Sequence, residues 1–115
     1  MAGAVLLSGL FDTATAERSL PMQSYFGTDA SLYPQRSAVP GLVAAAVPLL
    51  LAYAELDPPD FHTQSAQAHA ALRLAGRSTP LLKLMGHSHM SEVYAINTAD
   101  RSLSDPLAAF VQSLR

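Results

Sequence analysis

The run Leu49-Leu-Leu-Ala-Tyr-Ala54, followed by Glu55-Leu-Asp57 and two prolines, limits what this chain can fold into more than any other feature. Six residues with neither a charge nor an apolar–polar alternation suit a strand buried on both faces, as in the middle of a parallel sheet. Pro58 and Pro59 end it, because each lacks an N–H for the ladder, fixes φ and pushes the residue before it toward extended geometry. Asp57 is thereby expected at the carboxyl end of a buried strand. In open α/β sheets ligands bind and catalytic loops sit at that edge, so a carboxylate there is the first candidate for chemistry.

The flanking chain supplies partners for this strand. Ala4 to Ser8, closed by Ser8-Gly9, reads as a first buried strand, and Thr79 to Met85, ended by Gly86, as a third. Between the second and third lies a punctuated helix: Asp60 is the expected N-cap, Phe61, Ala68, Leu72 and Ala75 fall near one face, and Gly76 takes the left-handed position after the end. A short helix is expected over Thr13–Ser19, and residues 23 to 40 read as a loop with one helical turn near Ala30. Gly41 to Ala46 is the approach to the second strand, and Ser91 to Ala95 begins a short helix. The last helix starts with Ser104 or Asp105 capping Pro106 and runs through Leu107, Phe110, Val111 and Leu114. Strands joined by helical crossovers give an α/β class, a parallel β-sheet with flanking helices and right-handed connections. Three strands leave two open edges, so covering both faces needs more than this chain readily supplies.

Composition points the same way. At 115 residues the chain holds one domain with a modest core, or part of a larger one. Only 14% of its residues are charged, against about a quarter in an average soluble domain. Some apolar surface is therefore expected to be covered by a missing N-terminal segment or by a second copy. A net charge of −2 with no basic cluster argues against nucleic acid and anionic membranes as partners. The absence of cysteine removes disulfides and thiolate metal sites. The opening Met1-Ala-Gly-Ala-Val-Leu-Leu-Ser-Gly-Leu10 lacks a basic n-region, and the stretch Leu42 to Ala54 is too short to span a bilayer. The chain reads as soluble, with the cytoplasm as the default compartment.

Gly86-His-Ser-His-Met90 follows the third strand, which brings at least one histidine to the edge that carries Asp57. A carboxylate and an imidazole from adjacent strand ends can pair, the carboxylate fixing the tautomer while the other ring nitrogen takes a proton from a nucleophile. The plainer alternative makes Asp57 a helix cap and the histidines ordinary loop residues. Asp57, His62, His87 and His89 also have the ligand types of a zinc or iron site.

Three stretches together resemble the C-terminal part of an α/β-hydrolase, in the carboxylesterase and lipase branch related to hormone-sensitive lipase and to feruloyl-esterase-like enzymes. They are Leu7-Ser-Gly-Leu-Phe-Asp12, Pro48-Leu-Leu-Leu-Ala-Tyr-Ala-Glu-Leu-Asp-Pro58 and Gly86-His-Ser-His-Met90, and the likeness extends over nearly the whole chain. The resemblance implies that residues 1–115 are a partial α/β-hydrolase domain, that Asp57 is the acid of a Ser-His-Asp triad and that His89 is its base. His87 is the rival for the base and Asp60 for the acid. The implied reaction is hydrolysis of a small-molecule carboxylic ester through an acyl-enzyme, with no cofactor and no metal.

The chain departs from that pattern where it matters most. No Gly-x-Ser-x-Gly elbow is present; Gly86-His-Ser-His-Met90 matches it at three positions, but Met90 replaces the final glycine and the segment after it is a poor start for a long helix. Ser88 is therefore not the expected nucleophile. The oxyanion donors of the family lie in regions this chain does not contain, so the polypeptide alone is expected to be inactive. Tyr25, Phe26 and Tyr33 either line an acyl or alcohol pocket or anchor their loop on the core. His62 and His69 share a helix face and are expected to be solvated or partly packed. The competing function is a non-catalytic α/β interaction domain that covers its open sheet by oligomerising or binding a partner.

Overall fold

A computed structural model describes residues 2–115. Its centre is a three-stranded parallel sheet in the order β1-β2-β3, formed by Ala4–Leu7, Leu49–Ala54 and Leu81–Leu84. The middle strand is the apolar run, with the bounds its composition predicts. Leu49 to Ala52 and Ala54 are all buried. Successive side chains of a strand point to opposite faces, and both faces of β2 are covered. Leu49 and Leu51 pack with Phe11, Ala68 and Leu72 on one side, while Ala52 packs with Leu84 and Leu103 on the other. Burying one leucine fully contributes about 1.5–3 kcal/mol, so the alternating leucines of β2 fix both its register and the seating of the helices.

The crossover from β2 to β3 is the helix α3, Pro59–Leu74, which contacts β2 directly. Pro59 at its first position costs no hydrogen bond, since the first N–H groups of a helix lack intrahelical acceptors. Asp60 is not its cap: Pro58 occupies that position, and the Asp60 carboxylate accepts from the Glu17 N–H at 2.9 Å. At the other end Gly76 has φ +75°, and its N–H and that of Arg77 bond back to Arg73 and Leu72 carbonyls, a left-handed stop available to glycine at little cost. Of the expected apolar face, Ala68 and Leu72 are buried and Ala75 is exposed. Gln64 and Ser65 are buried beside them.

The region between β1 and β2 departs furthest from expectation. Thr13–Thr15 forms a turn and Glu17–Ser19 has no regular structure, and the helix α1 lies later, over Leu20–Phe26, where Ser19 accepts from the Met22 N–H and Pro21 sits in the first turn. Two 3-10 turns, Ala30–Leu32 and Pro34–Arg36, precede α2, Val39–Ala44. The approach to β2 is thus helical, with Pro40 in the first turn. Beyond β3 come the single turn α4, Ser91–Tyr94, and α5, Ser104–Ser113. Helix α5 begins without a side-chain cap, Leu103 preceding it. Among the described residues no helix is long and apolar enough to cross a membrane.

Candidate functional site

The carboxyl ends of all three strands meet in one polar cluster. After β2 the chain turns at once: the Asp57 N–H bonds to the Ala54 carbonyl, and the Leu56 N–H bonds to the His87 carbonyl at 2.9 Å. The Glu55 carboxylate accepts from the Gly86 N–H at 2.7 Å. These bonds tie the loop after β2 to the loop after β3, with Gly86 at φ +74° reversing the chain. Asp57 and His89 are held facing each other as a result.

The Asp57 carboxylate is fully buried and every contact it makes is with a donor. Its Oδ1 lies 2.8 Å from His89 Nδ1, and its Oδ2 accepts from the Ala54 N–H at 2.8 Å and from the Ser8 hydroxyl at 2.5 Å. His89 is the accessible partner, its side chain 47% exposed. With Nδ1–H donated to Asp57, the proton-free nitrogen is Nε2, for which the described residues provide no hydrogen bond. Phe61 packs against the ring at 4.8 Å between centroids. An imidazole held by a buried carboxylate, with its outer nitrogen open, is arranged to take a proton from something outside this cluster.

His87 has a different fate. It is buried, its Nε2 lies 2.9 Å from Asp100 and its Nδ1 3.0 Å from the Ser91 hydroxyl. Both nitrogens are occupied, and the ring staples the loop before α5 to the turn before α4. Hydrogen bonds from the Ser102 hydroxyl and N–H, aided by the nearby His87, hold the Asp100 carboxyl below the usual range. Ser88 is also spoken for: its hydroxyl accepts from the Ser91 N–H, and the Ser91 hydroxyl accepts from the Ser88 N–H, a reciprocal brace at the start of α4.

Two residues with no role in the sequence reading complete the cluster. Ser8 follows β1 with φ +47° and its hydroxyl touches Asp57; on its other side lies Glu92 Oε1, at 2.6 Å. Glu92 comes from α4 and is 1% exposed. Burial pushes its carboxyl above the usual glutamate range and the Asp57 charge adds to this, opposed by the Ser8 hydrogen bond and by His89 and His87. Ser8 and Glu92 are 84 residues apart, and nothing in the local pattern of either marks the contact. Gln64 is a third such residue. Its Oε1 accepts from the Phe11 and Asp12 N–H groups at 3.0 and 2.7 Å, clamping the loop after β1 to α3.

The structure does not gather Asp57, His62, His87 and His89 as a ligand set. His62 packs against Tyr53 with ring centroids 4.9 Å apart, and His87 turns to Asp100. Asp57, His89 and Glu92 do offer ligand atoms within 4.8 Å of one another. The Ser8 oxygen, bonded to both carboxylates, already bridges them where a cation would.

Beside the pair, on the side of Phe61, opens a cleft of about 560 Å³ walled by Leu10, Met22, Tyr25, Phe26, Pro58 and Phe61. The aromatic residues between β1 and β2 thus divide their tasks. Tyr25 and Phe26 face this cleft, whereas Tyr33 is buried and its hydroxyl donates to the Gly27 carbonyl at 2.6 Å, which anchors the loop.

No protein-family model and no curated protein sequence matches the chain. Solved structures do match its fold. One, assigned as a dipeptidyl aminopeptidase IV from Bacteroides ovatus, superimposes with a TM-score of 0.73 at 16% identity, over 95% of this chain and 15% of its own. Another, the acylaminoacyl peptidase of Pyrococcus horikoshii, gives a TM-score of 0.66 at 18% identity, over 94% of this chain and 18% of its own. The three-stranded parallel sheet with flanking helices is therefore part of an α/β-hydrolase fold. The chain spans less than a fifth of the length of either similar structure.

Proposed function

We propose that these residues supply the acid and the base of a serine hydrolase whose nucleophile lies outside residues 1–115. The observation that carries this reading is the 2.8 Å contact between buried Asp57 and half-exposed His89 at the carboxyl edge of the sheet. In the reaction, His89 Nε2 removes the proton from a serine hydroxyl as its oxygen attacks the carbonyl carbon. Asp57 stabilises the imidazolium that forms, and His89 then returns the proton to the departing alcohol. A water molecule activated by the same nitrogen releases the acyl group.

The substrate of this reading is a small carboxylic ester, in line with the esterase motifs at Leu7–Asp12, Pro48–Pro58 and Gly86–Met90. The cleft beside His89 is walled mainly by apolar and aromatic side chains, which suits an apolar acyl or alcohol group. The similar structures carry peptidase names, and the same pair would serve an amide, so ester and amide substrates are to be compared directly. The oxyanion donors and further strands of the sheet also belong to the part outside this chain. Strand β1, at the edge of the sheet with all four residues half-buried, is where a neighbouring strand would pair.

The test is to express the longest in-frame protein that includes residues 1–115 and to treat it with a fluorophosphonate ester, which esterifies activated serines. The reading expects one labelled serine, located upstream of residue 1 in a Gly-x-Ser-x-Gly segment, and loss of labelling in His89→Ala. Labelling of Ser8 or Ser88, or none at all alongside absent ester and amide hydrolysis, would remove it.

A further inference from the structure

The Ser8 hydroxyl has one proton and two close carboxyl neighbours, Asp57 Oδ2 at 2.5 Å and Glu92 Oε1 at 2.6 Å. A hydroxyl donates once. Two carboxylates cannot both accept from it, so one of these short contacts needs a proton from the carboxyl side. Asp57 is the poorer place for one, since its two oxygens already accept from His89 Nδ1 and from the Ala54 N–H. We infer that Glu92 carries that proton, and that the chain Glu92–Ser8–Asp57 runs in one direction, with the neutral Glu92 donating to Ser8 and Ser8 donating to Asp57. On the reading of Asp57 and His89 as acid and base, this makes Ser8 and Glu92 positioning residues for the pair.

The surroundings of Glu92 fit the neutral form. Its Oε2 is buried with no hydrogen-bond partner among the described residues, a tolerable place for a neutral carbonyl oxygen and a costly one for half of an anion. The titratable groups that face it are Asp57 after β2 and His87 and His89 after β3. Asp57 lies across the Ser8 hydroxyl from it, and His87 is committed to Asp100. Burial raises the proton affinity of Glu92 in the same direction. The left-handed backbone of Ser8 turns its hydroxyl into the gap between the two acids. Functionally, the relay presses a donor onto Asp57 Oδ2, leaving Oδ1 for the imidazole, without adding a second negative charge beside it. An ionised Glu92 would compete with Asp57 for the Ser8 proton and pull the pair out of register.

Carbon-13 carboxyl NMR of the 115-residue chain, labelled at glutamate, tests this without any substrate. There are three glutamates, Glu17, Glu55 and Glu92. One resonance should keep the neutral chemical shift well above the pH at which the other two ionise, and should vanish in Glu92→Gln. In Ser8→Ala that midpoint should move, because its hydrogen-bond partner is gone. Glutamine can still donate to Ser8, so Glu92→Gln should keep the His89 Nδ1–H···Asp57 proton signal. Glu92→Ala should lose it or exchange it much faster. Three glutamates ionising together, or a Glu92→Gln protein that loses the signal as fully as Glu92→Ala, would overturn the inference. Should Glu92→Ala fail to fold, the wild-type titration still decides. The readout is independent of hydrolysis. A neutral Glu92 in a chain that never yields a hydrolase would sink the proposed function and leave the relay, and the reverse pattern would do the opposite.

Discussion

Two imidazole–carboxylate pairs stand within a few residues of each other, and they are built inside out relative to one another. In the first, Asp57 is buried (0% of its side chain exposed) and His89 is half open (47%). In the second, His87 is buried (9%) and Asp100 is open (42%). The chemistry of the partners is identical, and the separations, 2.8 and 2.9 Å, are nearly so. What differs is which nitrogen is left over. His89 keeps one without a hydrogen bond among the described residues, whereas His87 spends its second on Ser91. A buried acid under an exposed base can act on a third molecule; a buried base under an exposed acid can only hold two loops together.

The largest effect that would break this contrast is on catalysis. In the longest in-frame protein, His89→Ala should lower ester hydrolysis by about 10⁶-fold, the scale of loss when the histidine of a serine-hydrolase triad is removed. Asp100→Asn should stay within about threefold, since it sits on the staple. Initial rates on a short-chain ester measure both, and comparable losses would erase the distinction.

Stability should reverse the order. His87→Ala leaves the buried side of a hydrogen-bonded staple empty and should cost about 1–3 kcal/mol. His89→Ala should cost less than about 1 kcal/mol, because water reaches the position the half-exposed ring gives up. Urea titrations followed by circular dichroism separate the two.

A smaller effect comes from Glu92, which belongs to the first pair alone. Its carboxyl is raised in the folded chain, chiefly by burial, so the folded state binds its proton more tightly than the unfolded state. That stability is fully present below the ordinary glutamate range and is lost as pH rises through the raised value. Glu92→Gln should flatten this part of the stability-versus-pH curve. The smallest effect belongs to the staple. Asp100 is held below the usual range by Ser102, with His87 assisting, so its contribution is present above the ordinary aspartate range and fades as pH falls through the depressed value. Solvent screens this exposed group, and Asp100→Asn should change the acid limb only slightly. Unfolding measured at a series of pH values gives both.

The same contrast explains what the sequence made legible. Strand β2, the proline stop and the left-handed Gly76 were readable because each is written in neighbouring residues. The resemblance to α/β-hydrolases named Asp57 and His89 for roles that geometry alone could not have chosen. From spacing, His87 and His89 were equivalent, and what separates them is Asp100, which no local pattern ties to the third strand. Ser8 lies inside the Leu7–Asp12 stretch with no local sign of its task, because its partners lie 49 and 84 residues away. Asp60 is not the cap because the prolines start the helix one residue earlier, leaving its carboxylate free for Glu17. Helix α2 is not legible locally because Pro40 and Gly41 lower helix propensity. Val39, Leu42 and Val43 pack on the core from that segment, so tertiary burial outweighs the local preference.

The proposed chemistry depends on Asp57 holding His89 with its outer nitrogen free to act as a base. The most direct test is long-range ¹H–¹⁵N correlation of the histidine rings in the 115-residue chain at neutral pH, with Asp57→Asn as the control. His89 should be the Nδ1–H tautomer with Nε2 unprotonated, and Asp57→Asn should abolish that preference while His87, held by Asp100, is unchanged. A His89 ring protonated on Nε2 and indifferent to Asp57→Asn would contradict it.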